Sequence, residues 1–231
     1  MSRDTIVLLQ RGITMRSRQT GFTLVEIAIV LVIIGLLLGG ILKGQELINS
    51  AKVKNLANDF RTIPTYIYGY QDKFKALPGD DTAATAHVNG ATNATTPAGS
   101  LGNGLINGAW NSTTQTDESF LFWQHVRLAN LAAGPTDPAD PTYIPLNAVG
   151  GKIGITSPVT GQTVAGLTGT YMICSGGIQG KFAKQLDIQM DDGDTAKGSM
   201  RVVADNTGAG GTAVATTAIV DSDNYEVCMS F

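Results

Sequence analysis

Three groups of residues in this 231-residue chain have types and spacings suited to chemistry. Glu26 is the only formal charge among the 21 residues from Phe22 to Leu42, all the rest of which are apolar or uncharged. A carboxylate in an apolar helix costs roughly 2.5–3.5 kcal/mol on insertion scales, so it marks a function and a partner. Asp187, Asp191, Asp192 and Asp194 cluster around Gly193. Grouped carboxylates offer the hard oxygen ligands that calcium takes, although this spacing is not that of an EF-hand and lacks its closing glutamate. An Asp-Asp-Gly run is equally an ordinary polar turn. The third group is Cys174 and Cys228, a disulfide in an oxidising compartment or else two buried thiols. Against these, His87 and His125 stand isolated, with no Cys or Glu at ligand spacing. Cys174-Ser175-Gly176-Gly177 has the look of an activated serine without a nearby histidine, and Gly99, Gly102, Gly104 and Gly108 do not follow a strand as a dinucleotide fingerprint would. Nothing here argues for an enzyme.

The stretch Gly21-Phe22-Thr23-Leu24-Val25-Glu26 organises the rest. As a helix, Phe22–Leu42 would be roughly 32 Å long, close to the hydrocarbon thickness of a bilayer. It is bracketed by Arg16 and Arg18 before it and Lys43 after it. Cleavage of the Gly21-Phe22 bond would put a new amine on Phe22, one helical turn from Glu26. In a bundle of identical helices, the Glu26 carboxylate of one subunit would neutralise the Phe22 amine of another.

A basic leader ending in Gly, then Phe-Thr-Leu-x-Glu and about twenty apolar residues, closely resembles the N-terminus of the type IV pilin and type II secretion pseudopilin family. The resemblance is carried by Gly21, Phe22, Thr23, Leu24 and Glu26, with Val25 at the variable place. It implies cleavage between Gly21 and Phe22 by a prepilin peptidase, methylation of the Phe22 amine, and assembly with other pilin-like subunits by an inner-membrane machinery. It also implies an α+β, pilin-like fold: a long N-terminal helix, transmembrane in its first half, packed against an antiparallel β-sheet head. Pilins commonly staple a C-terminal loop with a disulfide, in agreement with Cys174 and Cys228, and some pseudopilins bind calcium in a C-terminal loop. No other cofactor is implied. Two other readings of the apolar run fit less of it. A secretory signal has a shorter core with a small-residue cleavage site behind it, and a plain single-pass anchor leaves Glu26 and the Gly21-Phe22 junction without a role.

Composition sets bounds on the remainder. The chain carries 16 Lys+Arg and 19 Asp+Glu, a net charge of −3. Residues 1–21 hold four arginines and one aspartate, so removing them takes −3 to −6. Direct nucleic-acid binding is not expected without a clustered basic face. The basic leader stays cytoplasmic by the positive-inside tendency, leaving the head extracytoplasmic on a single-pass inner-membrane anchor, then on a periplasmic or cell-surface filament. Met15–Gly21 would suffice as a leader, so a start at Met15 yields the same mature chain.

The expected organisation is a leader over 1–21, a long helix over 22–75 that spans the membrane over 22–42, and a globular head over 76–231. Val53, Leu56, Phe60, Ile63, Ile67, Tyr70 and Phe74 recur at steps of 3 and 4, one apolar stripe on a helix face that passes Pro64 without losing phase. Leu77-Pro78-Gly79-Asp80-Asp81 is expected to end the helix. Thr82 to Thr116 has no Asp, Glu, Lys or Arg and reads as a long covering loop anchored by Leu101, Leu105, Ile106 and Trp110. Asp117 is placed to cap a helix running to about Ala133. Strands are expected at Lys152–Thr156, Thr168–Cys174, Ser199–Ala204, Ala213–Val220 and Tyr225–Ser230, with a short helix at Lys181–Met190.

Overall fold

A computed structural model of the chain describes residues 21–158, 164–204 and 211–231. The chain divides into two compact units, 1–45 and 46–231. Helix α1, Leu24–Phe74, contributes residues to both. In the first unit its side chains are exposed throughout the apolar run. In the second, Val53, Leu56, Ala57, Phe60, Ile63, Ile67 and Tyr70 are buried, as a 3-and-4 stripe requires. The helix continues through Pro64 and stops at Phe74. The stop is Lys75, a non-glycine residue in the left-handed region at φ 57°, two residues ahead of the expected Leu77–Asp81 terminator.

The head is α+β. A four-stranded antiparallel sheet has the order β1-β2-β4-β3, with β1 at Ile153–Thr156, β2 at Met172–Gln179, β3 at Met200–Ala204 and β4 at Asn224–Ser230. Side chains alternate between its faces. Ile153, Ile155, Ile173, Val202 and Val227 share one core with the α1 stripe, Phe120 and Phe122. Met172, Cys174, Val203 and Cys228 lie in a second cluster that Trp110, Val164 and Leu167 complete. The long helix thus meets one face of the sheet, and loop residues cover the other.

Helix α2, Ala84–His87, is a single turn within the uncharged stretch expected as loop. Helix α3, Glu118–Leu128, starts after Asp117 as expected, but Asp117 makes no side-chain cap. Its carboxylate instead accepts from the hydroxyls of Thr96 and Ser112. The helix ends at Leu128, short of Ala133, because Asn130 takes a left-handed φ of 62° and the N–H groups of Leu131 and Ala132 turn back to the Val126 carbonyl. Helix α4, Gly180–Met190, begins directly at the end of β2.

Two expected strands are corrected. β2 lies over Met172–Gln179, later than Thr168–Cys174, and runs through Ser175-Gly176-Gly177 by means of a bulge between Ser175 and Ile178. Gly177 sits there at φ 67°, a conformation that lets the strand pass through residues that otherwise read as a turn. Ala213–Val220 is not a strand. It makes a Val214 N–H bond to the Val202 carbonyl and then a 3-10 turn at Thr216–Ala218, where the Thr216 hydroxyl accepts from the Thr195 N–H. Short polar side chains compete for backbone groups in this way. Leu101 is exposed rather than an anchor, whereas Ile106 and Trp110 are buried.

Candidate functional site

At the N-terminal end, Phe22 is 83% exposed and Leu24 91% exposed. The apolar run of α1 is long and apolar enough to cross a membrane, and none of its most apolar window is buried by the protein. Glu26 is held locally. Its carboxylate accepts from the Thr23 backbone N–H and from the Thr23 hydroxyl, both at 2.8 Å, while Thr23 Oγ1 accepts from the Glu26 N–H at 3.2 Å. This is a capping box: the residue before the helix and the third residue within it satisfy one another's backbone donors. The Thr-x-x-Glu spacing at Thr23–Glu26 is the sequence signal for it. The same bonds turn the carboxylate toward the start of the chain, the side on which the Gly21-Phe22 junction lies.

In the head, the residues after α1 form a polar junction that sequence reasoning took only as a helix terminator. Asp80 and Asp81 are both buried. Asp80 accepts from three successive backbone N–H groups, those of Gly102, Asn103 and Gly104, the last at 2.7 Å. Burial pushes its carboxyl above the usual range in spite of those donors. Asp81 accepts from the Tyr70 hydroxyl at 2.8 Å and the Ala83 N–H at 2.9 Å, and His87 Nδ1 lies 2.7 Å from it. Burial pushes Asp81 up, but the bonds from His87, Tyr70 and Ala83 outweigh it and hold the carboxyl below its ordinary value. Gly79 has φ 92°, and a Cβ there would collide with the Glu118 carbonyl. Its N–H donates to His125 Nδ1 at 3.0 Å, so Nε2 carries the proton and donates to the Thr92 carbonyl at 2.8 Å. Burial holds His125 below the usual histidine range, in its neutral form. His87 is paired with the Asp81 carboxylate and His125 with backbone groups of Gly79 and Thr92. His87 and His125 are spent on the loop that they fasten.

Cys174 and Cys228 form a disulfide across directly paired residues of β2 and β4, with Cα atoms 4.1 Å apart. The four aspartates divide. Asp187, Asp191 and Asp192 bring one carboxylate oxygen each within 4.8 Å of the others, at the C-terminal end of α4. Asp194 turns away to Lys197 at 2.8 Å. Asp187 is 0% exposed. Burial first, then the neighbouring Asp191 and Asp192, push its carboxyl up to about 6. The Gly193 N–H draws it down but is not in hydrogen-bonding geometry, and neither oxygen of Asp187 has a partner among the described residues.

The exposed apolar run, its single acid and the basic residues ahead of it are the features that a comparison with known families picks out. Residues 16–42 match the family model of the prokaryotic N-terminal methylation motif. The chain therefore carries a prepilin-type N-terminus at the head of a membrane-length apolar helix. A search of curated proteins finds no match. Among solved structures, the major type IV pilin PilA1 from Clostridium difficile is 13% identical, with 79% of this chain and 95% of that one covered and a TM-score of 0.35. Nothing further rests on that likeness. The methylation motif takes in Gly21, Phe22 and Glu26 together, whereas the acidic cluster and the disulfide lie well outside it.

Proposed function

We propose that the chain is a structural subunit of a pilin-like filament, a minor type IV pilin or a type II secretion pseudopilin, and not an enzyme. In this reading a prepilin peptidase removes residues 1–21 and methylates the Phe22 amine. The membrane holds residues 22–42 before assembly, the helix over 22–75 joins subunits, and residues 76–231 form an extracytoplasmic head. An inner-membrane machinery then draws the subunit into a filament, where Glu26 pairs with the Phe22 amine of a neighbour. The observation that carries the proposal is the methylation motif at residues 16–42, set on a membrane-length apolar run whose side chains are exposed among the described residues. Other copies of such a helix would cover it with matching apolar surface and cancel the one buried charge.

Mass spectrometry of the protein from its native membrane tests the first step. The expected N-terminus is a methylated Phe22; an N-terminus that begins upstream of Gly21 overturns the proposal. A second reading, a membrane-anchored extracytoplasmic binding domain that does not polymerise, draws support from the capping box. Thr23 gives Glu26 a role within a single chain that needs no neighbour. That reading keeps the N-terminus unprocessed, so the same measurement separates the two.

A further inference from the structure

A buried guanidinium with no carboxylate beside it calls for a partner. Buried charges in folded proteins are paired, and nearly all buried polar atoms have a hydrogen bond. Arg127, in the last turn of α3, is only 6% exposed. Its Nη1 donates to the carbonyls of Pro135 and Tyr143 at 2.9 and 2.6 Å. Both of its hydrogen bonds among the described residues leave from that one nitrogen, so Nη2 is uncommitted. Nε is buried and has no partner among the described residues. The rings of Trp123 and Tyr143, 5.5 and 5.1 Å from the centre of the group, lend it negative surface but no acceptor for the Nε–H. Burial accordingly draws Arg127 below its ordinary range, the direction of a cation short of counter-charge.

The same guanidinium lines a cavity of about 180 Å³ that Ile63, Trp123, Pro145 and Ile153 give largely apolar walls. An apolar cavity of about 150 Å³ takes a benzene ring. Asp59 lines this cavity too, but burial is what moves its carboxyl, and no ion pair joins it to Arg127 among the described residues. On the loop after α3, Gly134 at φ 132° comes up against the guanidinium, and a Cβ there would stand 2.6 Å from Nε and crowd it. One cation with two unused donors therefore borders an apolar space the size of a small ring.

We propose that this cavity binds a small organic acid, its carboxylate on the Nε–Nη2 edge of Arg127 and its apolar body against Ile63, Trp123 and Ile153. That edge of a guanidinium presents two parallel N–H donors, which match the two oxygens of a carboxylate. The occupant is a free acid, because a carboxylate on a protein side chain would bring a polar backbone against those apolar walls. The site lies wholly within the head and does not depend on whether the subunit polymerises.

Benzoate, an acid on a single ring, is the probe. The full chain in detergent is titrated with it by calorimetry, heats into the same micelles alone are subtracted, and the thermal midpoint is read in parallel. Binding is expected with a dissociation constant on the order of 10⁻⁴–10⁻³ M, together with a rise in midpoint. Benzamide, which has the shape without the charge, and acetate, which has the charge without the ring, are each expected to bind about tenfold more weakly or less. Arg127→Lys keeps the positive charge but loses the paired donors, and is expected to weaken benzoate about tenfold. Because Arg127 also holds two carbonyls, a second pair of variants uses Ala133, which is exposed and lines the cavity. Ala133→Glu tethers a competing carboxylate there and is expected to exclude benzoate, whereas Ala133→Gln, of equal size and no charge, is expected to admit it. No heat and no midpoint shift with the wild-type chain overturn the site. So does equal binding of benzamide or acetate, undiminished binding in Arg127→Lys, or the same benzoate affinity in Ala133→Glu and Ala133→Gln.

Discussion

Single residues in the head show how sharply burial alters the behaviour of ordinary side chains. Asp59 lies on α1 at the edge of a small cavity that Tyr66, Trp123 and Arg127 also line. Burial pushes its carboxyl up to about 6. The folded protein therefore holds that proton more tightly than the unfolded chain does. The stability it brings is fully present below the ordinary carboxylate range and is lost as pH rises through about 6. Replacement of Asp59 by Asn is expected to raise stability by about 1–2 kcal/mol at pH 7.5, a gain that shrinks toward zero near pH 4. Thermal midpoints of the two proteins across that range check both the size and the sign. Arg127, close by, is a clasp of a different kind. Its guanidinium packs over Trp123 and Tyr143 and donates to the carbonyls of Pro135 and Tyr143, which ties α3 to the residues 135–143 that follow it.

Among the elements, the Cys174–Cys228 bond reinforces the β2–β4 ladder by joining facing residues of the two central strands across 54 positions of sequence. Serine at both positions, or reduction, is expected to lower stability by about 2–4 kcal/mol, read as the shift in denaturation midpoint with and without reductant. The elements themselves differed in how plainly they could be read from sequence. The α1 stripe was legible because seven large apolar residues kept helical phase across Pro64, and tertiary burial follows that phase closely. β3 and β4 were legible as short β-prone runs, Val202-Val203 in the one and Tyr225 and Val227 in the other, set between turn signals. β2 was displaced because Ser-Gly-Gly reads as a turn unless a bulge absorbs it. The end of α3 was misjudged because Asn130, rather than the glycine four residues on, takes the left-handed conformation. The acidic cluster was visible as composition, but its division into three converging carboxylates and one turned to Lys197 depends on where β3 starts, which no local pattern states. The Asp80–Asp81 junction was missed because its partners lie on distant segments.

For the whole molecule, the decisive question is what Glu26 would do in a filament subunit from which residues 1–21 had been removed, as proposed. The capping box and the proposed pairing with a neighbour make different demands on it. A cap needs only an acceptor at that position and tolerates glutamine, whereas cancellation of an ammonium needs the negative charge. Glu26→Gln is accordingly expected to leave helix start and head intact while filament formation, scored by sedimentation or electron microscopy of native membranes, is lost. Filaments that form normally from the Gln variant would assign Glu26 to its own helix alone.

The grip of Asp80 on the segment 102–104 has a consequence for how the surface can vary. That carboxylate recognises main-chain hydrogens and no side chain, so it moors a neutral ribbon of residues irrespective of most of the letters written there. The exposed side chains of residues 101–104 can therefore vary while the path there is kept, provided that Gly102 and Gly104 retain their left-handed turns, whereas His87, Thr96, Ile106, Trp110 and Ser112 fix the rest of the stretch through their own side chains. Diversity on this side of the head is thereby uncoupled from the integrity of the fold beneath it.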